Sequence, residues 1–425
     1  MTFSWQLGNR VQLLINGEEF FPAVIDKVNA AHTEILLESF ILEADQVGRQ
    51  LQQALLDAAS RNVHVEIIVD GYGSDNLDTT YVAELVQAGI NIQAFDPTPR
   101  IMGMRTNLFR RLHRKIVVVD MKVAFIGGLN FCEAQLAEQG PTAKQDYAVE
   151  VEGPVVQDIR QASLALLTEF GDAGRFPPPS SPTLVQGDAR VLLAIRDNYR
   201  HRTDIEDQYL LALRNARDRI VIANAYFLPS YRLLRELKRA CRRGVKVTLI
   251  LQGQPDMPWV RALSTLLYND LLRHGIVIQE YCQRSLHGKV AVVDHDWSTV
   301  GSSNLDPLSL SLNLEANLVI RHRGLNRQLH DNLTALAAAE CRRVSRRVAV
   351  KGYWWRTPLI GLCFHFLRHF PAMTGLLPAH TPKLEPLAAT LDEELVEELH
   401  EAVQEQQEVD SFALPTGRES HEREQ

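Results

Sequence analysis

A chain of 425 residues, 45% hydrophobic and 23% charged, has the composition of an ordinary globular protein and apolar material for two or three cores, which excludes fibrous and low-complexity classes. Its five cysteines (Cys132, Cys241, Cys282, Cys341 and Cys363) form no CxxC pair, so neither a disulfide framework nor a thiolate zinc site is expected, and a reducing compartment fits best. The net charge of −7 is unevenly spread: the stretch from Glu385 onward is strongly acidic, which leaves the body closer to neutral or basic and able to bind an anion.

The opening "MTFSWQLGNR" lacks the basic and apolar regions of a secretory signal, and no apolar run reaches the roughly 18 residues that span a bilayer. The expectation is a soluble protein, or one attached to a membrane surface. "TEILLESFIL" (Thr33 to Leu42) reads as a buried strand, followed by a helical pattern and a second strand, "VHVEIIVDG" (Val63 to Gly71). "LVQAGINIQAF" (Leu85 to Phe95) adds a helix end and a third strand. From Arg100 to Lys115 arginines alternate with Ile101, Met102, Met104, Leu108 and Phe109. That mixture suits an anionic lipid headgroup with its acyl chains, or a solvated loop whose apolar residues pack locally. It lacks the aromatic series of single-strand nucleic-acid binders, so no nucleic acid is expected.

The next stretch, "LHRKIVVVDMKVAFIGGLN" (Leu112 to Asn130), recurs without a gap as "LHGKVAVVDHDWSTVGSSN" (Leu286 to Asn304). His113 pairs with His287, Lys115 with Lys289, Asp120 with Asp294 and Asn130 with Asn304. The upstream strands recur too, as "DRIVIANAYFL", "VKVTLILQG" and "LLRHGIVIQEY", while "GRFPPPSSPTLVQGD" (Gly174 to Asp188) separates the copies as a Pro/Ser-rich linker. Strands alternating with helices predict an α/β fold: two similar lobes, each a mainly parallel, mixed sheet flanked by helices. The expected division is 1–173 for the first lobe, 174–188 for the linker and 189–350 for the second lobe.

The repeated residues point to phosphate. Lysine supplies a point charge for a phosphate oxygen, a side-chain amide such as Asn130 or Asn304 adds a neutral donor, and histidine can act as nucleophile or move a proton near neutral pH. No metal-ligand spacing accompanies the set, so neither metal nor cofactor is expected, and positive charge would come from Lys115 and Lys289. Displacement at a phosphodiester needs a nucleophile on one face and an acid on the other, which two histidines from facing lobes can supply.

Two HxKxxxxD motifs, each followed by Gly-Gly/Ser-x-Asn, resemble the phospholipase D superfamily over about Asn16 to Arg321. "QLLINGEEFFPAV" and "DPTPRIMGMRTNLFRRLHRKIVVVD" narrow the likeness to the bacterial cardiolipin synthases of the kind without N-terminal transmembrane helices. The resemblance implies a pseudo-twofold fold, with His113 as nucleophile and His287 as acid and base. Lys115, Lys289, Asn130 and Asn304 would surround the phosphate. It also implies an acid after each motif that orients the motif's histidine, for which Asp146 and Glu315 are the candidates. Asp120 and Asp294 belong to the catalytic motif but suit structural support better than substrate contact. The implied reaction transfers a phosphatidyl group between two phosphatidylglycerols at an anionic membrane surface, peripherally on the bacterial inner membrane. Hydrolysis of a phospholipid or a nucleic acid by the same chemistry is the alternative.

Two C-terminal segments remain. "CRRVSRRVAVKGYWWRTPLIGLCFHFLRHF" (Cys341 to Phe370) reads as an interfacial helix, placing a candidate membrane segment at 351–384, or as a packed terminal helix. The acidic tail, 385–425, carries a capping-box pattern from Thr390 to Glu393 and an apolar stripe at Leu391, Leu395, Leu399 and Val403. It reads as a short helix or as a solvated tail.

Overall fold

A computed structural model describes residues 3–170, 184–345 and 383–390, apart from 76, 98–99, 102–103, 106–109 and 254–257, together with isolated positions between 358 and 369. The Trp354–Trp355 segment, most of the linker, the tail beyond 390 and the side chains at 98–109 therefore lie outside the described residues.

The first half runs β1 (Gln6–Ile15), α1 (Asn16–Asn29), β2 (Glu34–Ser39), α2 (Gln46–Ser60), β3 (His64–Asp70), α3 (Thr79–Gln87), β4 (Asn91–Phe95), β5 (Ile116–Val119), β6 (Val123–Gly127), β7 (Tyr147–Glu152) and α4 (Val155–Phe170). The second repeats the sequence of elements: β8 (Ala189–Arg196), α5 (Asp204–Asn215), β9 (Arg219–Asn224), α6 (Tyr231–Arg242), β10 (Lys246–Gln252), α7 (Pro258–Arg273), β11 (Val277–Tyr281), β12 (Lys289–Val293), β13 (Trp297–Gly301), a short α8 (Pro307–Ser311), β14 (Glu315–Arg321) and α9 (Arg323–Ala339). Edge strands β15 (Cys341–Arg343) and β16 (Leu384–Pro386) complete the set.

Among the described residues these sixteen strands form one sheet, ordered β15-β11-β10-β9-β12-β13-β14-β8-β1-β7-β6-β5-β2-β3-β4-β16, and two short two-stranded ladders lie outside it. Read outward from the central β8–β1 pair, the two sides match strand for strand. The sheet is mixed, and its parallel pairs are confined to β2-β3-β4 and β9-β10-β11. Those are the strands joined by helical crossovers. The motif strands β5–β6 and β12–β13 are hairpins, and short turns impose antiparallel pairing.

Alternation along each strand sorts the side chains into three cores. On β2, Ile35 and Leu37 face α1–α3, while Leu36 faces inward. On β9 and β10, Ile222 and Leu249 face α5–α7, while Ala223 and Ile250 face inward. The inward faces of both halves meet across α4 and α9, which contribute Val156, Ile159, Leu325 and Leu329 to the central core. Strands buried on both faces explain the continuous apolar runs in the sequence.

The repeated Asp of each motif ends its strand. Asp120 and Asp294 take positive φ values of 53° and 50°, a conformation that Asp tolerates better than most residues. Asp120 accepts from the backbone of Thr33 (2.7 Å) and His32 (3.0 Å) and from the Thr33 hydroxyl (2.8 Å). Asp294 accepts from the backbone of Asp218 (2.8 Å) and Arg217 (3.1 Å). Each carboxylate thus ties the end of a motif strand to the start of its neighbour, β2 or β9.

Candidate active site

The strand entries at the other end of β5 and β12 carry the histidines, and backbone pairing between the halves positions them. The His113 N–H donates to the Leu314 carbonyl (2.9 Å), and the His287 N–H to the Gln145 carbonyl (2.9 Å). A short parallel ladder pairs Lys144–Gln145 with Ser285–Leu286, and a parallel bridge joins Leu112 to Leu314. The residues after Leu314 and Gln145 are Glu315 and Asp146, so each histidine lies beside the acid of the opposite half.

The side chains follow the backbone. His113 Nδ1 lies 3.0 Å from Glu315 Oε2, and His287 Nδ1 lies 2.5 Å from Asp146 Oδ2. This corrects the expectation that each acid orients its own motif's histidine: the pairs are crossed. Asp146 and Glu315 are fully buried, and the histidine side chains are 12% exposed. A carboxylate at Nδ1 holds the proton there and leaves Nε2 with the free electron pair, directed away from the acid.

Burial pulls His113 below the ordinary histidine range, with Glu315 opposing and Lys115 assisting. His287 is pulled well below it, by burial and by Lys289, against Asp146. Burial opposes ionisation of both acids, yet Lys289 and His287 hold Asp146 below its ordinary value, and His113 does the same for Glu315. Burial also lowers Lys115 to about 7, with Glu315 pulling upward and Lys289 downward. Charges from both halves therefore act on one another within a single site.

Lys115 Nζ donates to the His113 carbonyl (2.8 Å), and Lys289 Nζ donates to the His287 carbonyl. Asn130 and Asn304 are buried in the loops that follow β6 and β13. Asn130 accepts from the Ile41 N–H (3.2 Å), and Asn304 keeps a buried Oδ1 without a partner among the described residues. Asp120 and Asp294 do not join this set. Each lies five residues from its lysine along an extended strand, on the order of 16 Å away. Their place fits the structural support expected of these motif residues rather than contact with substrate, because backbone amides occupy their carboxylates.

Several neighbours carry no motif signal. The Phe40 ring lies 5.0 Å from the His113 ring and 5.1 Å from Lys115 Nζ. Asp70, at the end of β3, accepts from the Leu112 N–H (2.7 Å), while its counterpart Gln252 accepts from the Leu286 N–H. Burial raises Asp70 to about 6 against the pull of Arg111. Ser302 donates to Glu315 Oε2 (2.5 Å). A side chain at the matching Gly128 would collide with the Asp146 carboxylate. The one-letter difference between "LHRK" and "LHGK" has a similar origin. Arg114 forms a buried two-pronged pair with Glu38 (2.7 and 3.0 Å), whereas a Cβ at Gly288 would press on the Tyr147 ring.

A pseudo-twofold α/β fold, with an HxK pair from each half meeting at the join, defines a phospholipase D-like protein. Comparisons with known proteins narrow the class. The family described as "Cardiolipin synthase, PLD-like domain" matches residues 24–163 and 209–337. Cardiolipin synthase B of Escherichia coli (strain K12) is 52% identical over 387 residues, covering 90% of this chain and 94% of that protein. Cardiolipin synthase A of Pseudomonas fluorescens is 32% identical over 313 residues, covering 73% of this chain and 65% of that protein. The chain belongs to the phospholipase D-like cardiolipin synthase family, nearer to the B type than to the A type in these two comparisons. The crystal structure of phosphatidylserine synthase from Haemophilus influenzae Rd KW20 shares the fold, with a TM-score of 0.62 at 14% identity over 86% of this chain and 94% of that one.

Proposed function

We propose that the chain is a cardiolipin synthase that moves a phosphatidyl group from one phosphatidylglycerol to another through a phosphohistidine. The observation that carries the mechanism is the crossed arrangement, in which each Nδ1 is held by a buried acid from the other half and each Nε2 has no hydrogen-bond partner among the described residues. His113 Nε2 attacks phosphorus, and the bond from phosphorus to the glycerol headgroup oxygen breaks. His287, protonated, gives its Nε2 proton to that oxygen, and glycerol leaves. The terminal hydroxyl of a second phosphatidylglycerol then loses its proton to His287 and attacks the same phosphorus. The phosphorus–nitrogen bond breaks, cardiolipin departs, and both histidines return to their first states. Lys115, Lys289 and the amides of Asn130 and Asn304 hold the phosphate oxygens as charge builds on them.

His113 is assigned as the nucleophile in keeping with the family resemblance; both orienting acids are anchored by a further donor, Glu315 by the Ser302 hydroxyl and Asp146 by the Tyr147 N–H (2.8 Å). Asp146 and Glu315 position and stabilise the imidazolium forms without giving up protons. Among the described residues no helix is long and apolar enough to cross a membrane. The enzyme works peripherally on the anionic face of the bacterial inner membrane, with the part of 351–384 that precedes β16 as its interfacial segment.

Incubation of the full chain with phosphatidylglycerol vesicles, followed by lipid analysis, tests the reading. Cardiolipin with an equimolar amount of free glycerol is expected. Phosphatidic acid as the main product would mean that water is the acceptor and would overturn the transferase reading.

A further inference from the structure

The second half keeps two buried polar atoms that the first half pairs. Parallel bridges join Leu42 to Phe131 and Phe227 to Leu305, and Phe131 and Leu305 each follow the repeated Asn. Counted back from these bridges, Ser39 matches Asn224, Phe40 matches Ala225 and Ile41 matches Tyr226. In the first half the Ser39 hydroxyl donates to the Ile41 carbonyl (2.7 Å), and the Ile41 N–H donates to Asn130 Oδ1 (3.2 Å). Backbone groups thus occupy both side chains.

In the second half the same places hold two amides. Asn224 is fully buried, and its Oδ1 accepts from the Leu305 N–H (3.1 Å). That bond fixes the orientation of the amide, so the outstanding atom is Nδ2, a buried donor with no partner among the described residues. Asn304, 3% exposed, buries Oδ1, an acceptor that likewise has no partner there. Buried polar groups are costly to leave unpaired, which makes such atoms beside a reaction centre markers of a ligand.

The two amides belong to the site by position. Asn224 stands directly opposite Lys289 in the β9–β12 register, which places their Cβ atoms about 5 Å apart on one face of the sheet. Lys289 in turn donates to the His287 carbonyl, and Asn304 immediately precedes the Leu305 that Asn224 holds. The Phe40 ring, 5.0 Å from the His113 ring, has only the methyl group of Ala225 as its counterpart. A lone donor and a lone acceptor at adjoining positions are matched by a single hydroxyl, which accepts from the first and donates to the second. An ammonium group, which only donates, would set a second donor against Asn224 Nδ2.

We infer that Asn224 Nδ2 and Asn304 Oδ1 grip the secondary hydroxyl of the glycerol that leaves or enters beside His287. The assignment rests on the phosphatidyl-transfer reading for the identity of that glycerol, and it makes the second half the one that selects the headgroup.

The test uses the full chain and phosphatidylglycerol vesicles that carry equal traces of two further donors. One is phosphatidylpropane-1,2-diol, linked through its primary oxygen, and the other is phosphatidylpropan-1-ol. They differ only in the secondary hydroxyl, and the ratio of alcohols released gives the ratio of kcat/KM. The wild type should favour the diol by about tenfold or more, because the mono-alcohol leaves both amides unpaired. Asn224→Leu, which keeps the bulk without the donor, and Asn224→Ser, which copies Ser39, should each lower that ratio by about fivefold or more. Ser39→Ala, the matching change in the first half, should leave the ratio unaltered. A wild type without preference overturns the hydroxyl site. Equal losses of both alcohols in the Asn224 variants also overturn it, since Asn224 would then act only as a strut for Leu305. The expected ratios with phosphatidic acid, not cardiolipin, as the lipid product would support the hydroxyl site and overturn the transferase reading instead.

Discussion

The two halves carry the same motif on the same strands, yet their histidines have different surroundings. His113 has Glu315, backed by the Ser302 hydroxyl, on one side and the Phe40 ring on another. His287 has the shorter Asp146, which lies against the bare backbone of Gly128. The strand entry before His113 is held by an acid, Asp70, and the entry before His287 by an amide, Gln252. The motif thus supplies a histidine and a lysine twice, while residues outside it give the two copies different surroundings. On the proposed reading, that difference separates the half that holds the phosphoryl group from the half that exchanges protons.

The largest effect is expected from neutralising the crossed acids. Glu315→Gln and Asp146→Asn should each lower kcat by about 10²–10⁴-fold, because a neutral amide removes the negative charge that steadies the imidazolium and can hold the imidazole in the wrong tautomer. Steady-state turnover measures this directly, and a loss below tenfold in either variant would break the claim that the acids act across the halves. Gly128→Ser, which copies Ser302 into the first half, should mimic Asp146→Asn rather than improve the site, since the new Cβ must displace the Asp146 carboxylate. Retention of full activity would show that the difference between Asp146 and Glu315 is incidental.

A smaller effect concerns pH. Both histidines lie below their ordinary 6.5, His287 further than His113, yet His287 must start protonated and His113 neutral. The productive form of the free enzyme is therefore scarce, and kcat/KM should peak on the acid side of 6.5 and fall as pH rises. Bound phosphate favours the protonated imidazole of His287, so the kcat profile should shift to higher pH than the kcat/KM profile. Coincident profiles would contradict the assignment of acid and nucleophile.

The smallest catalytic effect belongs to the motif aspartates. Asp120→Asn should leave kcat within about twofold while costing about 1–3 kcal/mol of stability, read as a lower Tm. Burial opposes its ionisation, but the Thr33, Glu34 and His32 donors hold the carboxyl below 3.8. Its stabilisation is therefore complete above that value and fades as pH falls through the lowered native one. The difference in Tm between Asp120→Asn and the wild type should narrow in acid.

Much of this arrangement was legible in the sequence, and the exceptions have a common cause. Repeated strands and motifs gave the two halves and their matched order, because each β-α-β unit leaves a periodic apolar trace. Mainly parallel pairing was an over-extension, since the turns that make β5–β6 and β12–β13 into hairpins leave a weaker trace than the crossover helices. His113, Lys115, Asn130 and their partners stood out because they recur at fixed spacing. The crossing of Asp146 and Glu315 did not, since nothing along the chain tells an acid which half its histidine belongs to; backbone bonds from His113 to Leu314 and from His287 to Gln145 decide it. Phe40 was equally silent, being an ordinary residue made important by what packs beside it.

The central claim, that His113 carries the phosphoryl group and His287 moves protons, is open to one direct measurement. The full chain is mixed with ³²P-labelled phosphatidylglycerol, quenched in alkali to preserve phosphohistidine, digested, and its labelled peptides are sequenced. Label at His113 is predicted in the wild type, with a larger amount in His287→Asn, where departure of the intermediate is slowed, and none in His113→Asn. Label at His287, or label surviving in His113→Asn, would contradict the account.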